Sequence, residues 1–249
     1  MIINFIKNLV LDFLFPQKCL GCNKEGSLVC MKCIKNISFL NEQKCPSCKK
    51  ITNFGNFCSQ KCAVSFSLDQ LIVATIYKNK SLIQKMITTF KYKFSEEIIF
   101  ILSAILKTEY VYFSQYCPGL TDAIFVPVPL HRKRLKYRGF NQSFLLADTL
   151  RKSLNNDPLL QNKFVNISIM DCLSRQNFTK EQAKLSRAER LKNLTNCFSV
   201  KPEFLYKLIN KHVVLIDDVA TTCSTLNECS KALKTAKVKH ICGLVLARG

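Results

Sequence analysis

The chain has 249 residues, 48% of them apolar, which is enough for one full core and a small appendage. Its 37 Lys and Arg against 17 Asp and Glu leave +20 at pH 7, a field suited to polyanions: phosphorylated small molecules, nucleic acid or acidic lipid. Eight of its 14 cysteines crowd into the first 62 residues in pairs and six are scattered, a placement that argues against a secreted disulfide scaffold.

The opening residues Ile2, Ile3, Phe5, Ile6, Leu9, Val10, Phe13 and Leu14 recur at helical spacing, so residues 1–15 read as an amphipathic helix. Lys7 and Asp12 interrupt the apolar run and no small-residue cleavage site follows, unlike a signal peptide. No run is long enough to span a bilayer, so no integral membrane segment is expected and the protein reads as cytoplasmic. Few basic residues on the polar face favour packing against the neighbouring domain; a peripheral position at the inner face of the membrane is the other reading.

Next come Cys19-x-x-Cys22, Cys30-x-x-Cys33, Cys45-x-x-Cys48 and Cys58-x-x-x-Cys62. Thiolate ligation needs paired ligands on tight knuckles, which this spacing supplies. The segment has little hydrophobic periodicity, so bound metal must supply its stability. Sequential and crossed pairing are both compatible with the spacing, and redox-active dithiols are the competing chemistry. Lys18, Lys24, Lys32, Lys35, Lys44, Lys49, Lys50 and Lys61 either present this module to nucleic acid or keep it soluble.

Leu71 to Tyr77 reads as a strand, and 81–107 as a helical stretch broken near Ser95. Strand and helix then alternate: a strand over 123–129, a helix over 141–154, a strand over 167–173, a helix over 187–194 entered through a capping box at Ser186 and Glu189, a strand over 213–216, a helix over 225–235 and a strand over 240–246. Such alternation predicts an α/β fold, a parallel sheet with flanking helices and ligands at the strand C-termini.

The chemistry concentrates in two stretches. The first is Val213-Val-Leu-Ile-Asp217-Asp218-Val-Ala-Thr221-Thr222-Cys223-Ser224-Thr225, a buried strand ending at two carboxylates, then a hydroxyl-rich turn and a helix start. Thr225 and Glu228 form a capping-box pattern there. A helix start favours an anion, the hydroxyls add donors, and two adjacent carboxylates can accept from neighbouring ribose hydroxyls. The second stretch, Val126-Pro-Val-Pro129-Leu130-His131-Arg132-Lys133-Arg134-Leu-Lys136-Tyr-Arg138-Gly-Phe-Asn-Gln142, is a strand end followed by a basic loop with five cations in residues 132–138. Arg forks suit the oxygens of a pyrophosphate.

The first stretch resembles the PRPP-binding motif of type I phosphoribosyltransferases, where PRPP is 5-phosphoribosyl 1-pyrophosphate. It departs at Ala220, where a larger aliphatic is usual, and at Cys223, where Gly is commonest. The second resembles the ComF family, whose VPVP strand end leads to a basic loop and an R-G-F-N-Q helix start. A third segment, Leu173-Ser-Arg175 through Arg187 and Arg190, corresponds to the mobile loop and helix that cover the site in those relatives. The resemblance covers nearly the whole chain and implies, after the helix 1–15 read from periodicity, a double zinc ribbon over 16–66 and a phosphoribosyltransferase-like domain over 67–249.

It further implies two structural zinc ions, one on Cys19, Cys22, Cys30 and Cys33 and one on Cys45, Cys48, Cys58 and Cys62, and Mg²⁺ accompanying PRPP. Asp217, Asp218 and Arg132 become the expected catalytic residues. Thr221, Thr222, Cys223, Ser224 and Thr225 would hold the 5-phosphate, and Pro129, Leu130, His131, Arg132, Lys133 and Arg138 the pyrophosphate. The family is associated with competence, so two functions are carried forward. One is a phosphoribosyltransferase with an unidentified acceptor that takes part in DNA uptake during natural transformation. The other is a non-catalytic factor that senses PRPP or binds single-stranded DNA alongside other competence proteins.

Overall fold

In a computed structural model the described residues are 16–40, 42–160, 162–164, 167–175 and 197–249. The helices expected over 1–15 and 187–194, the capping box at Ser186 and Glu189, and Arg187 and Arg190 lie outside them.

The core is a five-stranded parallel sheet in the order β1 (Gln70–Ile76), β7 (His240–Arg248), β6 (His212–Ala220), β2 (Ile124–Pro127), β3 (Ser168–Ile169). The central strand β6 has both faces covered, which is why it reads as continuous Val-Val-Leu-Ile. Val214 and Ile216 pack against α3 (Leu82–Tyr92), α4 (Glu96–Ser114) and α6 (Gln142–Asn155); Val213 and Leu215 pack toward α8 (Ser224–Thr235). The break expected near Ser95 separates α3 from α4. Ser81 and Ser95 cap them, their hydroxyls accepting the Gln84 and Ile98 amides at 3.2 and 3.3 Å.

Pro127 pairs with Ile216 in parallel register, so the chain after β2 and the C-terminal end of β6 lie at the same edge of the sheet. This brings the two chemical stretches of the sequence together.

Three expectations are corrected. The strand expected over 167–173 contributes only β3 to the sheet; the chain turns off at the exposed Asp171, whose carboxylate and carbonyl accept from Lys201 Nζ at 3.1 and 2.6 Å. Beyond it, β4 (Leu173–Arg175) pairs antiparallel with β5 (Phe198–Val200) as a separate ribbon. The basic loop is helical over α5 (Arg132–Arg138): His131 Nδ1 accepts the Lys133 amide at 3.1 Å to start it, and Gly139, at φ 82°, ends it. The capping box at Thr225 and Glu228 does not form. Helix α8 begins one residue earlier, after Cys223, and the Glu228 carboxylate accepts from Lys231 at 2.6 Å instead.

The cysteine-rich module contains α1 (Met31–Lys35) and α2 (Gln60–Ala63), and lies against the sheet domain through specific bonds. The Gln43 side chain accepts from the Val73 amide and donates to its carbonyl, at 2.9 and 3.0 Å, extending the edge of β1. Phe54 stacks on Tyr116, centroids 4.7 Å apart. Lys85 Nζ donates to the Leu20 carbonyl at 2.8 Å, and Glu97 accepts the Val29 amide at 3.1 Å. The remaining helix, α7 (Leu205–Leu208), precedes β6. Among the described residues no helix is long and apolar enough to cross a membrane.

Candidate functional site

The eight N-terminal cysteines form two separate groups: Cys19, Cys22, Cys30 and Cys33, and Cys45, Cys48, Cys58 and Cys62. Within each, the four sulfurs lie within 4.8 Å of one another. The pairing is therefore sequential, not crossed. Sulfur separations of 3.7 Å (Cys22–Cys30), 3.3 Å (Cys48–Cys58) and 3.6 Å (Cys58–Cys62) approach the roughly 3.8 Å edge of a tetrahedron with Zn–S bonds of about 2.3 Å. The Cys30 amide donates to Cys19 Sγ at 3.3 Å, the kind of amide contact that stabilises a ligating thiolate. Four thiolates leave no open coordination position, so these are structural zinc sites.

The second centre lies at the C-terminal end of β6. Asp217 Oδ1 accepts the Ser143 hydroxyl and the Asp218 amide, each at 2.9 Å. Burial, then the charge of Asp218, pushes the Asp217 carboxyl up to about 7. Asp218, only 8% exposed, forms an ion pair of 2.7 Å with Lys91 Nζ from α3. Ser143 opens α6, whose start is fixed by Asn141: its side chain accepts the Ser143 amide and donates to the Val128 carbonyl, both at 3.1 Å. The R-G-F-N-Q run thus bolts α6 to the strand ends.

The turn after the acids explains the unusual cysteine. Cys223 has φ 60° and ψ 6°, the left-handed region where Gly is least strained. Its side chain is 3% exposed, packed in the apolar cluster beneath α8, and burial pushes the thiol up. The sulfur therefore points into the core, leaving the turn's outer surface clear. Thr221 and Thr222 are exposed, the Thr222 and Ser224 hydroxyls lie 2.7 Å apart, and the Cys223 side chain makes no capping hydrogen bond to the start of α8. Helix-start amides of this kind attract anions.

Beside it, Arg132, Lys133, Arg134 and Lys136 are exposed along α5, and the Arg138 guanidinium lies 5.9 Å from the Tyr92 ring centroid. Pro129, Leu130, His131 and Arg132 form one wall of a cleft of about 690 Å³; Asp171, Leu173, Ser174, Arg175 and Lys201 form the other. Arg175 stands over the Phe198 ring at 5.3 Å. Burial, then Arg175, Lys133, Arg134 and Arg132, holds His131 below the usual imidazole range, favouring the neutral ring its capping role needs.

The structure thus brings Asp217, Asp218, residues 221–225, residues 129–138 and Arg175 to one edge of the sheet. Sequence reasoning missed Lys91 and Ser143, which reach the acids from helices remote in the chain.

Residues 10–63 match the double zinc ribbon domain. The chain is 41% identical over 132 residues to Competence protein F of Haemophilus influenzae, covering 52% of this chain and 51% of that protein. It is 26% identical over 232 residues to Competence protein ComFC of Bacillus subtilis, covering 90% and 86%. To the DNA utilization protein YhgH of Escherichia coli it is 32% identical over 150 residues, 59% of each chain. The match thus spans about half the length of the Haemophilus protein and most of the Bacillus one. A double zinc ribbon in front of a parallel α/β sheet, together with these relatives, supports the resemblance of this chain to the ComF family.

Proposed function

We propose that the edge formed by residues 217–225 and 129–138 binds PRPP or a close phosphoribosyl ligand, and that the chain serves DNA uptake, as the competence names of its relatives suggest. The observation that carries this reading is the turn at Cys223. A left-handed residue with an inward thiol leaves a hydroxyl-rich helix start facing outward, directly after two carboxylates.

The 5-phosphate would lie against the start of α8 and the hydroxyls of Thr221, Thr222, Ser224 and Thr225, while Asp217 and Asp218 accept from the ribose hydroxyls. Arg132, Lys133 and Arg138 would face the pyrophosphate, with Arg175 across the cleft. If a phosphoribosyl group is transferred, the bond from the anomeric carbon to pyrophosphate breaks as the acceptor's nucleophile bonds to that carbon. Positive charge develops on the sugar ring beside the two acids, and negative charge on the leaving group beside the arginines. Both acids already have protein partners in Lys91, Ser143 and the Asp218 amide, so Mg²⁺ fits this site as a companion of the diphosphate, where it would neutralise part of the leaving group's charge.

Calorimetric titration of PRPP with Mg²⁺ tests the pocket: binding that is lost in Asp217→Ala/Asp218→Ala supports it, and wild-type protein that takes up no PRPP refutes it. Transformation frequency in the same double mutant tests the tie to uptake. A second reading, a non-catalytic single-stranded-DNA factor, draws on Tyr137, 85% exposed among the cations of α5, because exposed rings between cations make stacking platforms for bases. DNA binding that survives the double mutant and weakens steeply with salt would favour it.

A further inference from the structure

The ion pair between Lys91 and Asp218 is unexpected where it stands. Asp218 is one of two carboxylates expected to grip a sugar, yet a lysine from a helix 127 residues earlier in the chain sits on it at 2.7 Å. Both partners are largely shielded, Lys91 at 29% and Asp218 at 12% side-chain exposure, so this is not a solvated surface pair. Arg138, from α5, lies within electrostatic reach of the same carboxylate and beside Tyr92, the residue next to Lys91.

The charges around the acids decide what they can receive. Lys91 and Arg138 bring two positive charges and Asp218 one negative, while Asp217 is held near neutrality by burial and by its neighbour. Two carboxylates alone would attract a bare divalent cation. These two, with their cations, make a patch of between zero and one net positive charge, which accepts an anion where two bare carboxylates would repel it. The sugar hydroxyls need only the carboxylate oxygens, so the cations stand ready for a group beyond the hydroxyls.

We propose that Lys91 is a ligand-binding residue that selects a sugar carrying an anionic substituent at the anomeric carbon, holding Asp218 in position and sharing its ammonium with that substituent. This assignment rests on the sugar-phosphate reading of residues 217–225 and adds a residue to it. An ammonium on a four-carbon stem can bond a carboxylate and a phosphate oxygen at once, since it carries three donors. The discrimination would lie between PRPP and ribose 5-phosphate, which share the 5-phosphate and the ring hydroxyls and differ at the first carbon.

The test measures the affinity of the full-length, zinc-loaded protein for PRPP with Mg²⁺ and for ribose 5-phosphate, in wild type, Lys91→Met and Lys91→Arg. Methionine keeps the stem and removes the charge. The expected result is a loss of PRPP affinity of tenfold or more in Lys91→Met, with ribose 5-phosphate changed less than threefold, and substantial recovery of PRPP affinity in Lys91→Arg. Equal weakening of both ligands, or unchanged or tighter PRPP binding, would overturn the proposal while leaving the pocket itself intact. Wild-type protein that binds neither ligand would overturn the sugar-phosphate reading and this proposal with it. Should Lys91→Met not fold, as judged by its melting curve and zinc content, Lys91→Gln takes its place with the same readout: PRPP weakened alone supports the proposal, and both ligands weakened equally, or neither weakened, overturns it.

Discussion

Arg248, at the end of β7, donates to the backbone of Pro46: its Nη2 lies 2.6 Å from that carbonyl, and its Nη1 lies 3.3 Å from the carbonyl of Cys45. Cys45 belongs to the second cysteine group, and Arg248 pairs in the sheet with Ala220, which leads into the turn at Cys223. One guanidinium therefore joins a metal knuckle to the strand beside the turn. Arg248→Met should destabilise the protein by about 1–3 kcal/mol, the range for charge-assisted hydrogen bonds to buried carbonyls, without changing zinc content. Urea unfolding together with metal analysis checks both halves; zinc loss in this variant would show that the arginine supports the metal site itself.

Cys48→Ser removes one ligand from the second group and should lower bound zinc from two ions per chain to one. Cys48 is exposed and the first group shares none of its ligands, so the first site should stay loaded. The second ribbon should then become sensitive to protease, because such modules depend on metal for their fold. Metal analysis by mass spectrometry and limited proteolysis read these outcomes.

Substitutions at Cys223 should separate backbone from side chain. Cys223→Gly relieves a left-handed φ but removes a buried thiol, and the two effects should cancel to within about 1 kcal/mol. Cys223→Val places a β-branched residue in that conformation and should cost about 2 kcal/mol or more. Urea titration distinguishes them; equal stability of the valine variant would contradict the left-handed turn.

Asp217 predicts a pH dependence. Its folded carboxyl titrates near 7, chiefly because of burial, against an ordinary value of 3.8. In the unfolded chain it ionises near pH 4, so across pH 4 to 7 the unfolded state sheds a proton that the folded state keeps. Its contribution to stability is therefore fully present below pH 4, falls as pH rises to about 7, and is constant above. Asp217→Asn should flatten this fall, with a difference between pH 4 and pH 8 on the order of 4 kcal/mol relative to wild type. Unfolding measured at both pH values checks it.

Local chemistry was legible in the sequence where a few neighbouring residues carried it. Paired cysteines marked the two metal groups, Ser81 and Ser95 marked helix starts, and the run from Val213 to Thr225 marked a strand, two acids and a turn. Spacing alone left the pairing of the cysteine knuckles open, because sequential and crossed arrangements use the same local geometry. Thr225 and Glu228 had the right residues for a cap, but the left-handed turn started the helix one residue early and Lys231 took the carboxylate. The cations from Arg132 to Arg138 looked like a loop because charge masked a helix whose stop, Gly139, was in plain view. Lys91 and Ser143 escaped notice for a different reason: their partners are contacts of the folded sheet, distant along the chain and unmarked by any local pattern.

The inward thiol of Cys223 has one more consequence. Whatever sits against the crest of that turn meets main chain there, so its grip is indifferent to which side chain the central position carries. Variation at this residue is then screened by how well the interior accommodates it, and a lineage could exchange glycine for cysteine without renegotiating its contract with the ligand.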